Sequence, residues 1–330
     1  MSKPRAFIAL PLPESVLKPV LEVAQVDAWK SGRAPVREDL LARVGEVEGI
    51  MGSALLPIDA GVLSAAPRLL VVSNFGVGFD NVDLAEATRR GVVVGNTPDV
   101  LTDAVADLTL ALILALARRL TEGASAVHEG RWVEGFNLPL GEDLKGKTLS
   151  IIGMGRIGAA VAQRAAAFGM RIVYHDARDD AGAPVPAGRL PLVEALREAD
   201  FLTLHVNLTP ESRQFIGAAE LALMKPTASL VNTARGAIVD QVALYDALRD
   251  GKIAGAALDV LDPEPPSPDD PLTKLPNVII TPHIGSATRE TRRAMLELAL
   301  RNLVVGLRGG LPERCVNPEA LKRRRGLQKR

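Results

Sequence analysis

The sequence predicts an α/β protein built from two doubly wound parallel-sheet domains. Three observations predict it. Short β-rich apolar runs alternate with alanine-rich helical segments along the chain. Gly153, Gly155 and Gly158 stand in G-x-G-x-x-G spacing between an apolar strand and a helix-forming run. One long apolar helix, expected at about 102–120, separates two strand–helix series.

The first series runs from about residue 5 to 97 and contains AFIAL, RLLVVSNF and GVVVGN as strands. The stretch LTLALILALA at 108–117 is shorter than the roughly 20 residues a bilayer span needs, so it reads as a buried helix. The second series holds the strands TLSIIGMG, RIVYHD, FLTLHV, SLVNTA and VIITPH. Its helices are expected at AAVAQRAAAFG, LPLVEALREA, ESRQFIGAAELALMK and QVALYDALRDGK. The last helix, about 288–309, has no strand of its own and is expected to pack back on the first series. The layout that follows is an outer domain of residues 1–98 and 287–330 around an inner domain of residues 99–286, with a ligand-binding cleft between them.

The glycine triad is a weak signal by spacing and a strong one by context. Gly153 permits a tight turn, Gly155 lets the backbone approach a pyrophosphate, and Gly158 lets the helix pack on the strand. The helix N-terminus adds unpaired N–H groups and a favourable dipole. The next strand ends in Asp176, at the offset where a carboxylate accepts hydrogen bonds from the adenosine ribose. Asp176 would repel a 2′-phosphate and so favours NAD, while Arg178 nearby could hold that phosphate and leaves NADP open. The plain alternative is a glycine turn that only packs, with Asp176 as a strand-end cap.

Three later strands, in LVNTARG, LDVLDPEP and ITPHIG, each end in polar residues. Strand C-termini line the ligand crevice of an open α/β sheet, so Arg235, Asp259, Glu264 and His283 are delivered to one region. Such a group suits hydride transfer to a 2-oxo acid. An arginine binds a carboxylate and polarises a carbonyl. A histidine donates a proton, and a carboxylate beside it orients it. Individually, Arg-Gly after a strand is more often a cap, and Asp-Pro-Glu-Pro a turn. Of the other histidines, His128 reads as surface in a polar helix HEGRW, His175 lies at the ribose end, and His205 is the rival for the acid role.

Bulk composition narrows the classes. Lys+Arg and Asp+Glu are 39 each, so no net charge steers the chain to nucleic acid or an acidic membrane. The single cysteine, Cys315, allows no internal disulfide and fits a reducing compartment. No two histidines have metal-ligand spacing, so no metal site is expected. The N-terminus lacks the long apolar stretch of a signal peptide, which makes the cytoplasm the default. The basic run KRRRGLQKR at 322–330 reads as a solvated, frayed tail.

Across nearly the whole chain the sequence resembles the D-isomer-specific 2-hydroxyacid dehydrogenases. The stretches that carry the resemblance are GVGFDNVD at 76–83, NTPDVLTDAVADL at 96–108, GMGRIG at 153–158, TPESRQFIG at 209–217, NTARGAIVD at 232–240, GAALDVLDPEP at 255–265 and PHIGSAT at 282–288. Within the family it looks most like the glyoxylate/hydroxypyruvate reductase branch, which includes the plant hydroxyphenylpyruvate reductases. The resemblance implies a flavodoxin-like substrate-binding domain and a Rossmann-like NAD(P)-binding domain. It implies Arg235 as substrate anchor, Glu264 as the histidine's partner and His283 as proton donor. Backbone groups of Val77 and Gly78 would hold a substrate carboxylate with Ser286 nearby. Thr102, Arg156, Ile157, Val206, Ala234, Asp259 and Gly285 would surround the cofactor. The segment 118–145 would embrace a second subunit in a homodimer. His-Asp-Ala-Arg-Asp-Asp after the second strand departs from the arginine or serine of NADPH-using relatives and favours NAD. Glu264 stands where formate dehydrogenases have glutamine, and Val77 where phosphite dehydrogenases have lysine. A dinucleotide-sensing corepressor on the same fold is the alternative from another class.

Overall fold

In the computed structural model the chain divides into two units, Met1–Leu101 with Thr288–Arg330, and Thr102–Ala287. The described residues are 3–133 and 137–327.

The first unit begins with β1 (Arg5–Ile8), α1 (Glu14–Leu21), β2 (Gln25–Ala28), α2 (Arg37–Val44), β3 (Gly49–Ser53), α3 (Ala60–Ala65), β4 (Val71–Phe75), α4 (Leu84–Arg89) and β5 (Val93–Gly95). Its sheet is parallel throughout in the order β2-β1-β3-β4-β5, the flavodoxin-like arrangement. Helices cover both faces, so β3 and β4 are buried at consecutive residues rather than at alternate ones. Asp59 and Asp83 cap α3 and α4 by accepting from the N–H of Val62 and Glu86, both at 2.9 Å, worth about 1 kcal/mol each.

The second unit holds α5 (Thr102–Ala117), α6 (Leu120–His128), β6 (Thr148–Ile152), α7 (Arg156–Ala167), β7 (Arg171–His175), β8 (Ala187–Arg189), α8 (Leu192–Glu198), β9 (Phe201–Leu204), α9 (Ala218–Leu221), β10 (Ser229–Asn232), α10 (Gln241–Arg249), β11 (Gly255–Leu258) and β12 (Val278–Ile280). Short 3-10 turns lie at Gly236–Ile238 and Pro271–Lys274. The sheet is again all parallel, in the order β12-β11-β10-β9-β6-β7-β8. The order reverses between β6 and β9, the switch point where an open α/β sheet binds its ligand. α5 is apolar on most of its surface because it is buried against this sheet and α7. Among the described residues no helix is long and apolar enough to cross a membrane.

Two local expectations give way here. The run ESRQFIGAAELALMK forms only the single turn of α9. Ser212 Oγ donates to Asn207 O instead of lying along a helix, and Gln214 adopts φ +52°. The N–H groups of Gln214 and Ile216 then donate to Ala237 and Ile238 carbonyls, so tertiary bonds replace the helical ladder. HEGRW is not helical beyond His128, where α6 ends. Residues 134–136, within the segment read as a subunit embrace, lie outside the described residues.

The chain returns to the first unit as α11 (Arg289–Leu307) and α12 (Glu319–Leu327). α11 lies on β3, β4 and β5. A Cβ on Gly306 would sit 2.4 Å from Val71 Cβ, so only glycine allows this approach. Buried Ser73 donates to Ala299 O at 2.7 Å, and buried Asn302 donates to Asn96 O at 2.9 Å. The basic run is not a frayed tail over its described part. Arg324 is buried and its guanidinium donates to the carbonyls of Gly91 and Leu70, which anchors α12. Residues 328–330 of that run lie outside the described residues.

Candidate active site

The glycine turn leaves β6 at Ile152. Gly153 has φ +96°, and a Cβ there would lie 2.6 Å from His205 O, the residue that follows β9. The strands on either side of the switch point can approach only through this glycine. A Cβ on Gly158 would lie 2.1 Å from Gly153 O. Gly155 is the N-cap of α7, and nothing lies within 4 Å of the Cβ it lacks. Arg156 and Ile157 form the first turn of α7, and Val206 follows β9 with its Cγ1 2.9 Å from the missing Cβ of Gly153. Thr102 opens α5. An open helix N-terminus after a strand end fits the pyrophosphate of a dinucleotide.

Asp176, just beyond β7, borders this turn. Its Oδ2 accepts from Met154 N–H at 2.8 Å, and its Oδ1 from Arg178 N–H at 2.8 Å. The Arg178 guanidinium lies against both oxygens at 3.2 Å. Burial alone would raise the Asp176 pKa, but the Arg178 side chain and the two N–H groups outweigh it and hold the carboxyl below its ordinary value. Asp176 is thus ionised at the mouth of the turn, and Arg178 is placed beside it.

The second cluster sits at the ends of β10, β11 and β12. Asp259 follows β11 and is 1% exposed. Its carboxylate accepts from Thr281 Oγ1 at 2.6 Å, Ile284 N–H at 2.8 Å and Gly285 N–H at 2.8 Å. A buried carboxylate needs such bonds, and here they tie the 281–285 turn to β11. His283 in that turn has φ +52°, a left-handed conformation in which histidine is enriched among non-glycine residues. Its N–H donates to Asp259 O at 3.0 Å, which helps hold the conformation.

His283 Nδ1 lies 2.7 Å from Glu264 Oε2. An ionised carboxylate only accepts, so Nδ1 carries the proton and Nε2 is the atom left for chemistry. Glu264 Oε1 accepts from Leu261 N–H at 3.1 Å. The Glu264 side chain is 16% exposed and that of His283 35%, so the carboxylate is the sheltered partner. Arg235 follows β10 in a turn closed by buried Asn232, whose Nδ2 donates to Arg235 O at 2.8 Å and whose Oδ1 accepts from Ala234 N–H at 3.0 Å. A Cβ on the next residue, Gly236, would lie 2.0 Å from Leu261 C, so the Arg235 turn rests directly on the Glu264 turn. Ser286 follows Gly285 in the His283 turn, which closes with Ala287 N–H donating to Ile284 O.

Val77 and Gly78 belong to the first unit, in the turn after β4. Asn96 Nδ2 donates to Val77 O at 2.8 Å and buried Asn74 Nδ2 to Gly78 O at 2.6 Å, fixing that backbone. Neither asparagine stands out in the sequence, and neither do Asn232, Thr281 and Gly236. An asparagine or threonine at a strand end was the available signal.

The surroundings of the rival histidine disfavour an acid role. His205 keeps part of its surface accessible while its ring is enclosed by protein beside Thr203 Oγ1, and burial pushes its pKa from 6.5 down to about 3. Its ring is neutral near pH 7, so it offers no imidazolium proton. Because its folded pKa is depressed, it favours the folded state above pH 6.5 and opposes it as pH falls below. The stability lost between pH 7 and 5 is therefore expected to be smaller in His205→Gln by roughly 1–2 kcal/mol, from the linkage slope of about 1.4 kcal/mol per proton and pH unit. Urea unfolding at both pH values measures it, and an identical loss in variant and wild type would contradict the burial argument. His175 Nδ1 is 3.1 Å from Leu190 O, and His128 Nδ1 is 2.8 Å from Ala124 O. No cluster of metal-ligating side chains occurs among the described residues.

A depression of about 430 Å³ opens at the opposite ends of the strands, beside Phe201, Ser229 and Gly255, and does not belong to this cluster.

Residues 110–285 match the model of the D-isomer specific 2-hydroxyacid dehydrogenase, NAD binding domain. The chain is 47% identical to a glyoxylate reductase of Korarchaeum cryptofilum over 324 residues, covering 97% of this chain and 98% of that protein. A solved structure from Thermus thermophilus superposes with a TM-score of 0.87 at 47% identity, covering 94% of this chain and 99% of the other. An NADPH-dependent glyoxylate/hydroxypyruvate reductase from Sinorhizobium meliloti, solved with NADP and malonate, gives 0.85 at 35% identity, covering 97% and 98%. A glycine turn at the sheet's switch point, a carboxylate after the second strand, a histidine–glutamate pair at neighbouring strand ends and relatives matched over almost their full length converge: the chain belongs to the D-isomer specific 2-hydroxyacid dehydrogenase family and is an oxidoreductase of the NAD(P)-dependent kind.

Proposed function

We propose that this protein reduces a small 2-oxo acid, of the glyoxylate or hydroxypyruvate type, to the D-2-hydroxy acid. The observation that carries the reading is the 2.7 Å pair of His283 Nδ1 and Glu264 Oε2 beside the Arg235 turn. The nicotinamide cofactor, when bound, supplies the hydride that reaches the carbonyl carbon. His283 gives the proton from Nε2 to the carbonyl oxygen, and Glu264 stabilises the charged ring before transfer. Arg235 receives the substrate carboxylate and polarises the carbonyl. Val77 and Gly78 offer backbone groups to that carboxylate, with Ser286 contributing from the His283 turn. Gly155, Arg156 and Ile157 hold the pyrophosphate on a turn that Gly153 and Gly158 close for the cofactor, and Asp176 holds the adenosine ribose. Thr102, Val206, Ala234 and Gly285 complete the cofactor's surroundings. Asp259 contributes by holding the His283 turn, since its oxygens are engaged there.

The reading includes a homodimer acting in the cytoplasm without nucleic acid, in keeping with a net charge of zero. The corepressor-like and phosphite-oxidising alternatives have no observation in their favour.

The test is the purified protein with glyoxylate, hydroxypyruvate and phenylpyruvate, with NADH and NADPH in separate runs, followed by absorbance of the reduced nicotinamide. Oxidation with a small 2-oxo acid is expected, with NADH preferred. Asp176→Ala is expected to move the preference towards NADPH, because the repelling carboxylate is lost and Arg178 stays. No oxidation with any pair, in protein that still binds the cofactor, would overturn the substrate class.

A further inference from the structure

The turn that carries Glu264 is held at its backbone by one side chain from elsewhere. Gln241 Nε2 donates to Asp262 O, and Gln241 Oε1 accepts from Asp262 N–H, each at 2.7 Å. The amide thus satisfies both polar atoms of one residue, as a neighbouring strand would. Gln241 is the first residue of α10, whose N-terminus has its own cap. Asp240 accepts there from the N–H groups of Val242 and Ala243 at 3.0 and 3.1 Å. The Gln241 side chain is therefore spare as far as the helix is concerned, and it reaches 21 residues along the chain to the Asp262 backbone.

Glu264 lies two residues beyond that clamp. One of its oxygens closes the turn onto Leu261 N–H and the other meets His283. The segment 261–264 is thus fixed at Leu261, at Asp262 and by its seat on Gly236. Arg213 also reaches Asp262, at 3.3 Å, but it touches the side chain, and both groups are about half exposed. Exposed pairs of this kind contribute little.

We infer that Gln241 is a positioning residue for catalysis: it fixes the 261–264 turn so that the Glu264 carboxylate stays on His283. The inference rests on the proposed acid role of His283. A primary amide both donates and accepts. Glutamate at 241 would keep the acceptor and lose the donor, and leucine would lose both. Displacements near 1 Å at a reacting group cost up to about 10²-fold in rate.

The experiment uses the full chain with glyoxylate and saturating NADH, in Gln241→Leu, Gln241→Glu, Arg213→Ala, His283→Asn and the double variant Gln241→Leu/His283→Asn. The readouts are kcat, KM and the Kd of NADH from its fluorescence. Gln241→Leu is expected to lower kcat by roughly 5- to 50-fold, within the range such displacements produce, with the NADH Kd held. Gln241→Glu should fall between it and wild type, and Arg213→Ala should match wild type. In the His283→Asn background the leucine should add almost nothing, because both changes act through one group. A merely structural role would lower kcat by the same factor in both backgrounds, and that result overturns the inference. So does full turnover in Gln241→Leu beside a loss in His283→Asn, which leaves the acid role standing. Full turnover in His283→Asn overturns the acid role and this inference with it. Should Gln241→Leu fail to fold, Gln241→Glu in the two backgrounds decides by the same comparison.

Discussion

Replacing His283 with asparagine is expected to lower turnover by roughly 10²–10⁴-fold while the Kd for the reduced cofactor holds, the range typical for loss of a general acid. Asparagine suits this test better than alanine. It tolerates the left-handed φ of +52° that the turn imposes, so the bonds from Ile284 and Gly285 to Asp259 survive. What it lacks is a titratable proton at the place of Nε2. Steady-state kinetics with glyoxylate and fluorescence titration with NADH separate the two properties. A variant with wild-type turnover would remove His283 from the chemistry. His205 would not inherit the role, because its enclosed ring is uncharged near neutrality.

Gly236→Ala should damage both stability and rate. The added methyl would stand 2.0 Å from Leu261 C, 2.1 Å from Leu261 O and 2.5 Å from Leu261 Cα. All three are backbone atoms, so no flexible side chain can swing aside. Overpacking usually costs about 1–3 kcal/mol, and a clash with fixed backbone belongs at the upper end. For a unit of this size that corresponds to a Tm lowered by roughly 5–10 °C. The Arg235 and Glu264 turns must then separate, so the anchor and the acid's partner lose register and kcat falls at least about 10-fold. A melting curve and an assay on the same preparation check both effects. An alanine variant with native Tm and native rate would show that the two turns are not in contact as described.

The architecture was legible because its signals are local. Apolar runs bounded by glycine and proline mark strands, and three glycines between a strand and a helix mark the phosphate turn. Both sheets follow from that alternation. Strand ends that a parallel sheet aligns brought Asp259, Glu264 and His283 to one region, but the choice of Glu264 as the histidine's partner came from the family resemblance, since strand order alone does not separate the two carboxylates. Contacts made at a distance left no trace. ESRQFIGAAELALMK has helical composition, yet Gln214 and Ile216 are claimed by the chain at 237–238. KRRRGLQKR has the charge of a solvated tail, yet Arg324 lies buried over two carbonyls at the N-terminal edge of the first sheet. Asn232 and Gln241 resemble any other polar residue until the backbone they grip comes beside them.

The placement of α11 has a consequence for synthesis. Its glycine seat on β4 and the buried bonds of Ser73 and Asn302 join a sheet finished by residue 95 to a helix that starts at residue 289. At about 5–20 residues per second, a ribosome needs roughly 10–40 s to make the intervening chain. During that interval the face of the first sheet that α11 will cover carries only α1, whose Leu17 and Val20 share a core cluster with Val71 and Val93. Residues 102–287, being contiguous, contain every strand of their sheet before α11 emerges. The amino-terminal part of the protein is therefore the last to finish folding, and the apolar strip beside α1 that awaits α11 is where a nascent chain would need a chaperone.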